Sequence, residues 1–431
     1  MNTTVSGFDE TPVRAAVRSR RHQRGLSLIE LMVAMLIGLL LMLAMVSAMF
    51  LSDSQKRTTS AGSEMDQSGD YAVSVLDVAL RNAGSGLGLT QQGQSGGLIG
   101  CNPGFTGTLP QPFDTLTPGN LRIVPVLIDQ NPSNSTTIEG GSDVLLVMSG
   151  SGAGGGVTRG VASLDGATLT LSGSITGIVT SSSIAQDQPL ALLDQSNNGC
   201  AISVITGPDP ATTPGGNSLT LKTAPTDTPS IILPLGNLGG GDVQFQLLGV
   251  DLASDTLVSY DLLRGSNPST ESASGSAQTD VQPVAGNVVA MQALYGIADG
   301  SGKLSKWVVP ANSGGDNYNF NTLLGNPSAL QSIVAIRVAL LLKGNLYEKN
   351  DLYNANTAAG ASAPPVAVAP PTWFNPVADA SPPADLAGIP FPANWQARTY
   401  QPTGEAAHYR YRVIEFVVPV RNSMMSLISS S

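Results

Sequence analysis

Few residues in this chain have the type and spacing that chemistry needs. Of two histidines, His22 sits in a basic N-terminal run and His408 is the only one beyond it, so any Ser-His-Asp site would have to use His408. No G-x-S-x-G surrounds a candidate serine, and no His/Cys cluster has zinc spacing. Gly150-Ser151-Gly152-Ala153-Gly154-Gly155 matches G-x-G-x-x-G behind a strand-like run. A dinucleotide site also requires a helix opening at the last glycine, and VTRGVASLDGATLTL has no helical face, which favours a turn. Asp299-Gly300-Ser301-Gly302 resembles a calcium loop but supplies one carboxylate and lacks the alternating ligands and closing Glu. The expectation is therefore no catalytic residues, no cofactor, no metal and no small-molecule substrate.

One carboxylate stands out by its place. Glu30 precedes Leu31–Leu51, 21 residues without a charge. At 1.5 Å per residue that run spans roughly 32 Å, enough for a bilayer core. A carboxylate costs about 2.5–3.5 kcal/mol if carried to the centre of a membrane, so a partner for Glu30 would offset a real cost. Five arginines (Arg14, Arg18, Arg20, Arg21, Arg24) lie before the run, against Asp9 and Glu10, and hold that end on the cytoplasmic side. An ordinary secretory signal has a shorter apolar run closed by a small-residue cut site; here the candidate cut, at Gly25, lies before the run.

The 431-residue chain is long enough for one to three domains. Its net charge is −10, and the body beyond the leader carries 16 basic against 29 acidic residues, which argues against a general nucleic-acid surface. Charged residues make up only 12 %, and Gly (48) and Pro (29) are frequent, as in a loop-rich extracytoplasmic β domain. In an oxidising compartment a single Cys101–Cys200 disulfide is the economical reading, and two unpaired buried thiols are the alternative.

Along the chain, Ala72, Val75, Leu76, Ala79 and Leu80 fall at helical spacing, so the helix should continue through 52–83 with one apolar stripe and stop at Asn82-Ala83-Gly84. Gly62 and Gly69 predict a weak middle. From Gly84 onward the runs are short and β-like: Leu121–Ile128, Asp143–Met148, Ala167–Leu171, Ala201–Ile205, Ser218–Lys222, Val243–Leu248, Thr256–Leu263, two runs within Val288–Val309, Ile333–Lys343 and Tyr409–Val420. No fixed-period repeat is present, which excludes a solenoid or propeller. Tyr347–Thr403 is rich in Pro and Ala and reads as an irregular excursion; its Trp373 and Trp395 either form an exposed adhesive surface or, as favoured here, pin the segment to the domain.

RGLSLIELMVAMLIGLL resembles the type IV prepilin signal. That resemblance implies cleavage by a dedicated peptidase between Gly25 and Leu26, methylation of the new terminal amine on Leu26, and a role for Glu30, the fifth residue after the cut, in subunit assembly. Leu26 departs from the commoner Phe, and the leader is long. The later order LRNAG…GC, GSDVLLV, a Cys before AISVITG, NVVAMQALYGIADGSG, SIVAIRVALLLKG and YRYRVIEFVVPVRN is similar to the PilW-like minor pilins, and Cys101 and Cys200 fall where that family often has cysteines. The resemblance implies a pilin-like α+β fold: a leader (1–25), a transmembrane half-helix (26–51), an amphipathic half-helix (52–83), and a large β-rich periplasmic domain (84–431) with the Pro/Ala excursion at about 347–403. It also implies a minor pilin that primes fibre assembly near the tip and so supports motility, adhesion or DNA uptake. Its partners would be other minor and major pilins through the helix, the prepilin peptidase, and inner-membrane lipid before assembly in the surface fibre. A type II secretion pseudopilin and a signal-anchored periplasmic enzyme are the alternatives.

Overall fold

Two strands near the C-terminal end of the chain, VVAMQALYGIA and IVAIRVALLLK, are almost wholly apolar, so a sheet built on them needs cover on both faces. The computed structural model shows how the cover is supplied. It describes residues 27–87, 98–130, 141–151, 157–175, 188–195, 199–208, 216–239, 241–265, 281–310, 312–313, 316–324, 326–348, 351–353, 368–374, 389–391 and 398–420. Contacts divide the chain into Met1–Thr58 and Thr59–Ser431.

Helix α1 spans Leu28–Asn82. It stops at Ala83-Gly84, where Gly84 takes a positive φ of 77° and donates its N–H to the Met148 carbonyl. Strands β1 (Val126–Asp129) and β2 (Val144–Ser149) follow. Next come β3 (Arg159–Asp165), β4 (Thr168–Leu171), β5 (Pro189–Asp194), β6 (Cys200–Gly207), β7 (Ser218–Leu221) and β8 (Ile231–Asn237), which close into an antiparallel barrel in the order β3-β4-β7-β6-β5-β8. The chain then returns as β9 (Gln244–Asp251), paired directly with β2, so the barrel is an insertion between two neighbouring strands. With β10 (Thr256–Asp261) and β11 (Gln282–Gly286) they form a five-stranded sheet, β1-β2-β9-β10-β11. A second sheet, β13-β12-β16-β19, contains β12 (Val288–Ala298), β13 (Leu304–Val308), β16 (Ile333–Lys343) and β19 (Tyr411–Pro419). Short ribbons pair β14 (Asn312–Ser313) with β15 (Asp316–Asn317), and β17 (Thr372–Trp373) with β18 (Arg398–Thr399). An N-terminal apolar helix followed by a large β-rich region is an α+β fold.

The barrel, three of its strands and the edge strand β11 were not legible as such. PLALLD (β5) is apolar on both faces: Ala191 and Leu193 fill the barrel, while Leu190 and Leu192 face the main core, so no period of two shows. IILPLGN (β8) contains a proline, tolerated at a register shift opposite Leu190/Ala191. Polar β3 and proline-containing β11 give no apolar signal either. Of Leu121–Ile128 only the end pairs as β1, because Ile123 bonds instead to the Cys101 loop on both its N–H and its carbonyl. The run Thr256–Leu263 ends early because the Asp261 Oδ1 accepts from the Leu263 N–H and turns the chain into α2 (Leu262–Gly265).

Within Thr59–Ser431, the α1 residues Met65, Gly69, Ala72, Leu76, Ala79 and Leu80 are buried, and Val75 is half-buried. The helix runs unbroken through the expected weak middle, and Gly69 lies against the sheet. A Cβ there would lie 2.5 Å from the Leu342 and Ile414 Cδ1 atoms, whereas nothing lies within 4 Å of one on Gly62. The β16 side chains Ile336, Val338, Leu340 and Leu342 join this core with the helix stripe. Ala335, Ala339 and Leu341, on the opposite face, join Trp307, Trp373, Phe374 and Tyr400.

The two glycines should respond in opposite ways. Gly69→Leu must displace two packed side chains and should cost about 1–3 kcal/mol, Gly69→Ala less because methyl ends can turn aside. Gly62→Ala should be neutral or stabilise by up to about 1 kcal/mol. Denaturant melts in detergent measure both. Trp373→Ala should lower stability by about 3–5 kcal/mol, as expected for a large buried aromatic; a surface-like change under about 0.5 kcal/mol in the same melt would contradict the pinning role.

Candidate functional site

The start of α1 is built by backbone geometry. The Ser27 carbonyl accepts from the N–H groups of Glu30 (3.0 Å) and Leu31 (3.1 Å), closing the first turn. Glu30 lies in that turn and is exposed, where the positive end of the helix dipole favours a carboxylate. Gly25 and Leu26 lie outside the described residues. From Leu28 to Met49 the helix has 22 residues of mean hydropathy 2.6, none buried, and is long and apolar enough to cross a membrane. Leu28 is 78 % exposed and Leu39 71 %. Ser47 hides its hydroxyl by donating to the Leu43 carbonyl at 2.9 Å, which satisfies the one polar side chain in that turn. A helix this apolar on every side is suited to lipid or to other helices, not to water.

The helix is tied to the β region beyond it by specific polar contacts as well as by its stripe. Asp66 pairs with Arg412, Ser68 donates to the Gly286 carbonyl, and Asn345 Nδ2 donates to Glu64 Oε1 at 2.9 Å. Cys101 and Cys200 form a disulfide with a Cα–Cα distance of 5.7 Å. It joins the loop after α1 to the first residue of β6, and the Cys200 N–H donates to the Asn102 carbonyl beside it.

Other residues that raised chemical possibilities have structural employment. Gly150 donates to the Ser85 carbonyl, and a Cβ on it would lie 2.7 Å from the Leu235 carbonyl oxygen, so its smallness serves the junction between β2 and the barrel. Residues 152–156 lie outside the described residues, and the next described element is strand β3. Asp299 sits in the β12–β13 hairpin turn. Its Oδ1 accepts from the Ser301 N–H, the Ser301 hydroxyl and the Lys303 N–H, and these bonds, the Ser301 hydroxyl first, hold its carboxyl below the usual range. Among the described residues no group of three His, Cys, Asp or Glu side chains is arranged to hold a metal. His408 Nδ1 lies 2.8 Å from the Glu348 carbonyl and its ring stacks on Tyr347. Trp373 is 2 % exposed and its Nε1–H donates to Gln292 Oε1 at 2.7 Å, pinning the excursion to β12. Trp395 lies outside the described residues.

Beside that pin, sequence reading missed a buried polar knot. Above Tyr295, where β13 ends, the free edge of β12 is met by the backbone of residues 141–143 and the side chains of Ser142 and Asp143. Ser142 Oγ accepts from the Met291 N–H (3.2 Å), Asp143 Oδ2 accepts from the Ala293 N–H (2.8 Å), the Asp143 N–H donates to the Met291 carbonyl, and Gln292 Nε2 donates to the Gly141 carbonyl. Asp143 is 3 % exposed, and its Oδ1 is the one buried side-chain polar atom without a partner among the described residues. Burial pushes its carboxyl well above the usual range; the Ala293 bond and Arg398 oppose this, and Asp129 adds to it. The only sequence signal was a Ser-Asp pair abutting the apolar run VLLVM.

Comparison with known proteins places these features. Residues 259–422, which contain β12, β16 and β19, match the family described as Type IV Pilus-assembly protein W. Residues 20–46 match the prokaryotic N-terminal methylation motif. A search of curated proteins found no match. Among solved structures, a type IV-like pilin from Thermus thermophilus is similar, at 12 % identity over 55 % of this chain and 84 % of that one, with a TM-score of 0.20 that carries no argument about this fold. The methylation motif lies over the exposed apolar helix and the assembly-protein match over the central sheet, so in these two parts the chain is similar to the PilW-like type IV pilins.

Proposed function

We propose that this protein is made as a prepilin, cut between Gly25 and Leu26, methylated on Leu26, and held in the inner membrane with its N-terminus cytoplasmic and its body periplasmic until it enters a fibre. The observation that carries this reading is the pairing of a wholly exposed apolar half-helix with a lone carboxylate in its first turn. Residues 1–25 are then the leader, 26–51 the anchor, 52–83 the helical mount, and 84–431 the presented domain.

The role is physical. The anchor stores the subunit in lipid and then packs among the helices of other pilins, major and minor. A Glu30 carboxylate that leaves the headgroup region for a helix bundle needs a cationic partner, and the new terminal amine of a neighbouring subunit has the charge for it. The disulfide and the bulk of the domain suit a subunit that ends rather than continues a fibre, priming assembly near its tip. Twitching motility, adhesion or DNA uptake would follow from the fibre it starts.

Mass spectrometry of membrane-extracted protein should give a mature chain beginning with methylated Leu26; an intact Met1 terminus in cells with active prepilin peptidase would overturn the processing. Glu30→Ala should still be cleaved but should be strongly depleted from sheared fibres. Normal incorporation would remove Glu30 from assembly.

A further inference from the structure

The knot at residues 141–143 does more than fill space. Two backbone N–H groups of β12, those of Met291 and Ala293, are satisfied by side-chain oxygens instead of a neighbouring strand. One of those oxygens belongs to a carboxyl with no room for charge. Asp129, opposite Val144 in the β1–β2 register, faces it with a like charge, and the Tyr295 phenol, which takes the Ile128 N–H at 2.5 Å, closes the β12 side. Among the described residues, Arg398 on β18 is the cation that acts on it, from the excursion.

We propose that Asp143 is a proton-controlled latch: with its proton on Oδ1 it holds residues 141–143 on the free edge of β12, and loss of that proton loosens this edge together with the excursion pinned beside it. The coupling runs through Gln292, whose side chain bonds Gly141 on one side and Trp373 on the other. The sign follows from burial. The folded protein holds this proton more tightly than the unfolded chain, so the stabilisation is complete at acid pH and is lost as pH rises through the raised folded value. Asp129 is also shifted upward by burial and acts in the same direction, so the test rests on differences between variants and not on the wild-type profile alone.

The experiment is hydrogen exchange of the full-length protein in detergent, with protection factors corrected for intrinsic exchange, at roughly pH 5 and pH 8. Wild-type protection at Met291 and Ala293 should fall by about tenfold or more at the higher pH, with a parallel change in Trp emission, while barrel amides hold theirs. In Asp143→Asn, which keeps an oxygen for the Ala293 N–H but cannot ionise, protection should be the same at both pH values. Constant protection in the wild type, or an equal fall in Asp143→Asn, overturns the latch. Should Asp143→Asn fail to fold, Asp129→Asn decides: removing the facing negative charge makes Asp143 easier to ionise, so the fall must move to lower pH, and an unmoved fall overturns the latch.

Discussion

The structure depends on one constraint: β12 and β16 are apolar on both faces and lie side by side at the centre of a sheet. One face is covered by the α1 stripe and the five-stranded sheet, the other by the described parts of the Pro/Ala-rich excursion. Arg337 shows how strict the second cover is. It stands on that face with its guanidinium 5.1 Å from the Phe391 ring centre and 5.9 Å from Trp307, and it spans to Glu415 at 2.8 Å. Glu415 in turn accepts the Phe374 N–H, which ties the excursion to the sheet. Ion pairs this buried return little net stability, whereas each large apolar side chain shielded from water is worth about 1.5–3 kcal/mol. Trp373, Phe374, Tyr400 and Leu341 therefore hold the cover, and the Arg337–Glu415 pair sets its position.

Helix α1 meets two different demands along its length. Its Leu28–Met49 part has no buried residue among the described residues, and its apolar surface is suited to lipid or to other helices. Its later turns carry small residues, Gly69, Ala72 and Ala79, where the sheet approaches, and polar residues such as Asp70 and Ser74 away from it. The glycine that costs an isolated helix roughly 1 kcal/mol of propensity here makes room for the Leu342 and Ile414 side chains of the sheet.

The barrel interrupts a single pair of strands, β2 and β9, yet it is not a loosely tethered appendage. Leu190, Leu192, Ile202 and Leu233 on its strands belong to the main core, and the disulfide fixes β6 to the loop that follows α1. At the other junction, Gly150 lets the backbone of β2 touch that of β8. The Ser142–Asp143 knot lies at the opposite end of β2, so this one strand carries the connections to barrel, helix end and second sheet.

How much of this was legible follows from how local each cause is. The apolar span and the placement of Glu30 at its head depend only on neighbours along the chain, so period, charge and length revealed them. So did the strands that alternate or are flanked by turn residues. The strands buried on both sides or broken by proline, β5 and β8, were hidden because a period of two exists only where one face meets water. Barrel closure, the reason for Gly69 and Gly150, and the burial of Asp143 were decided by segments far apart in the chain. By itself the sequence determined that this protein has a membrane-competent helix with one carboxylate at its head and a β-rich body behind it. Only the tertiary structure decided which faces of that body are covered, and by what, because burial is a property of the partner surface and not of the residue that seeks it.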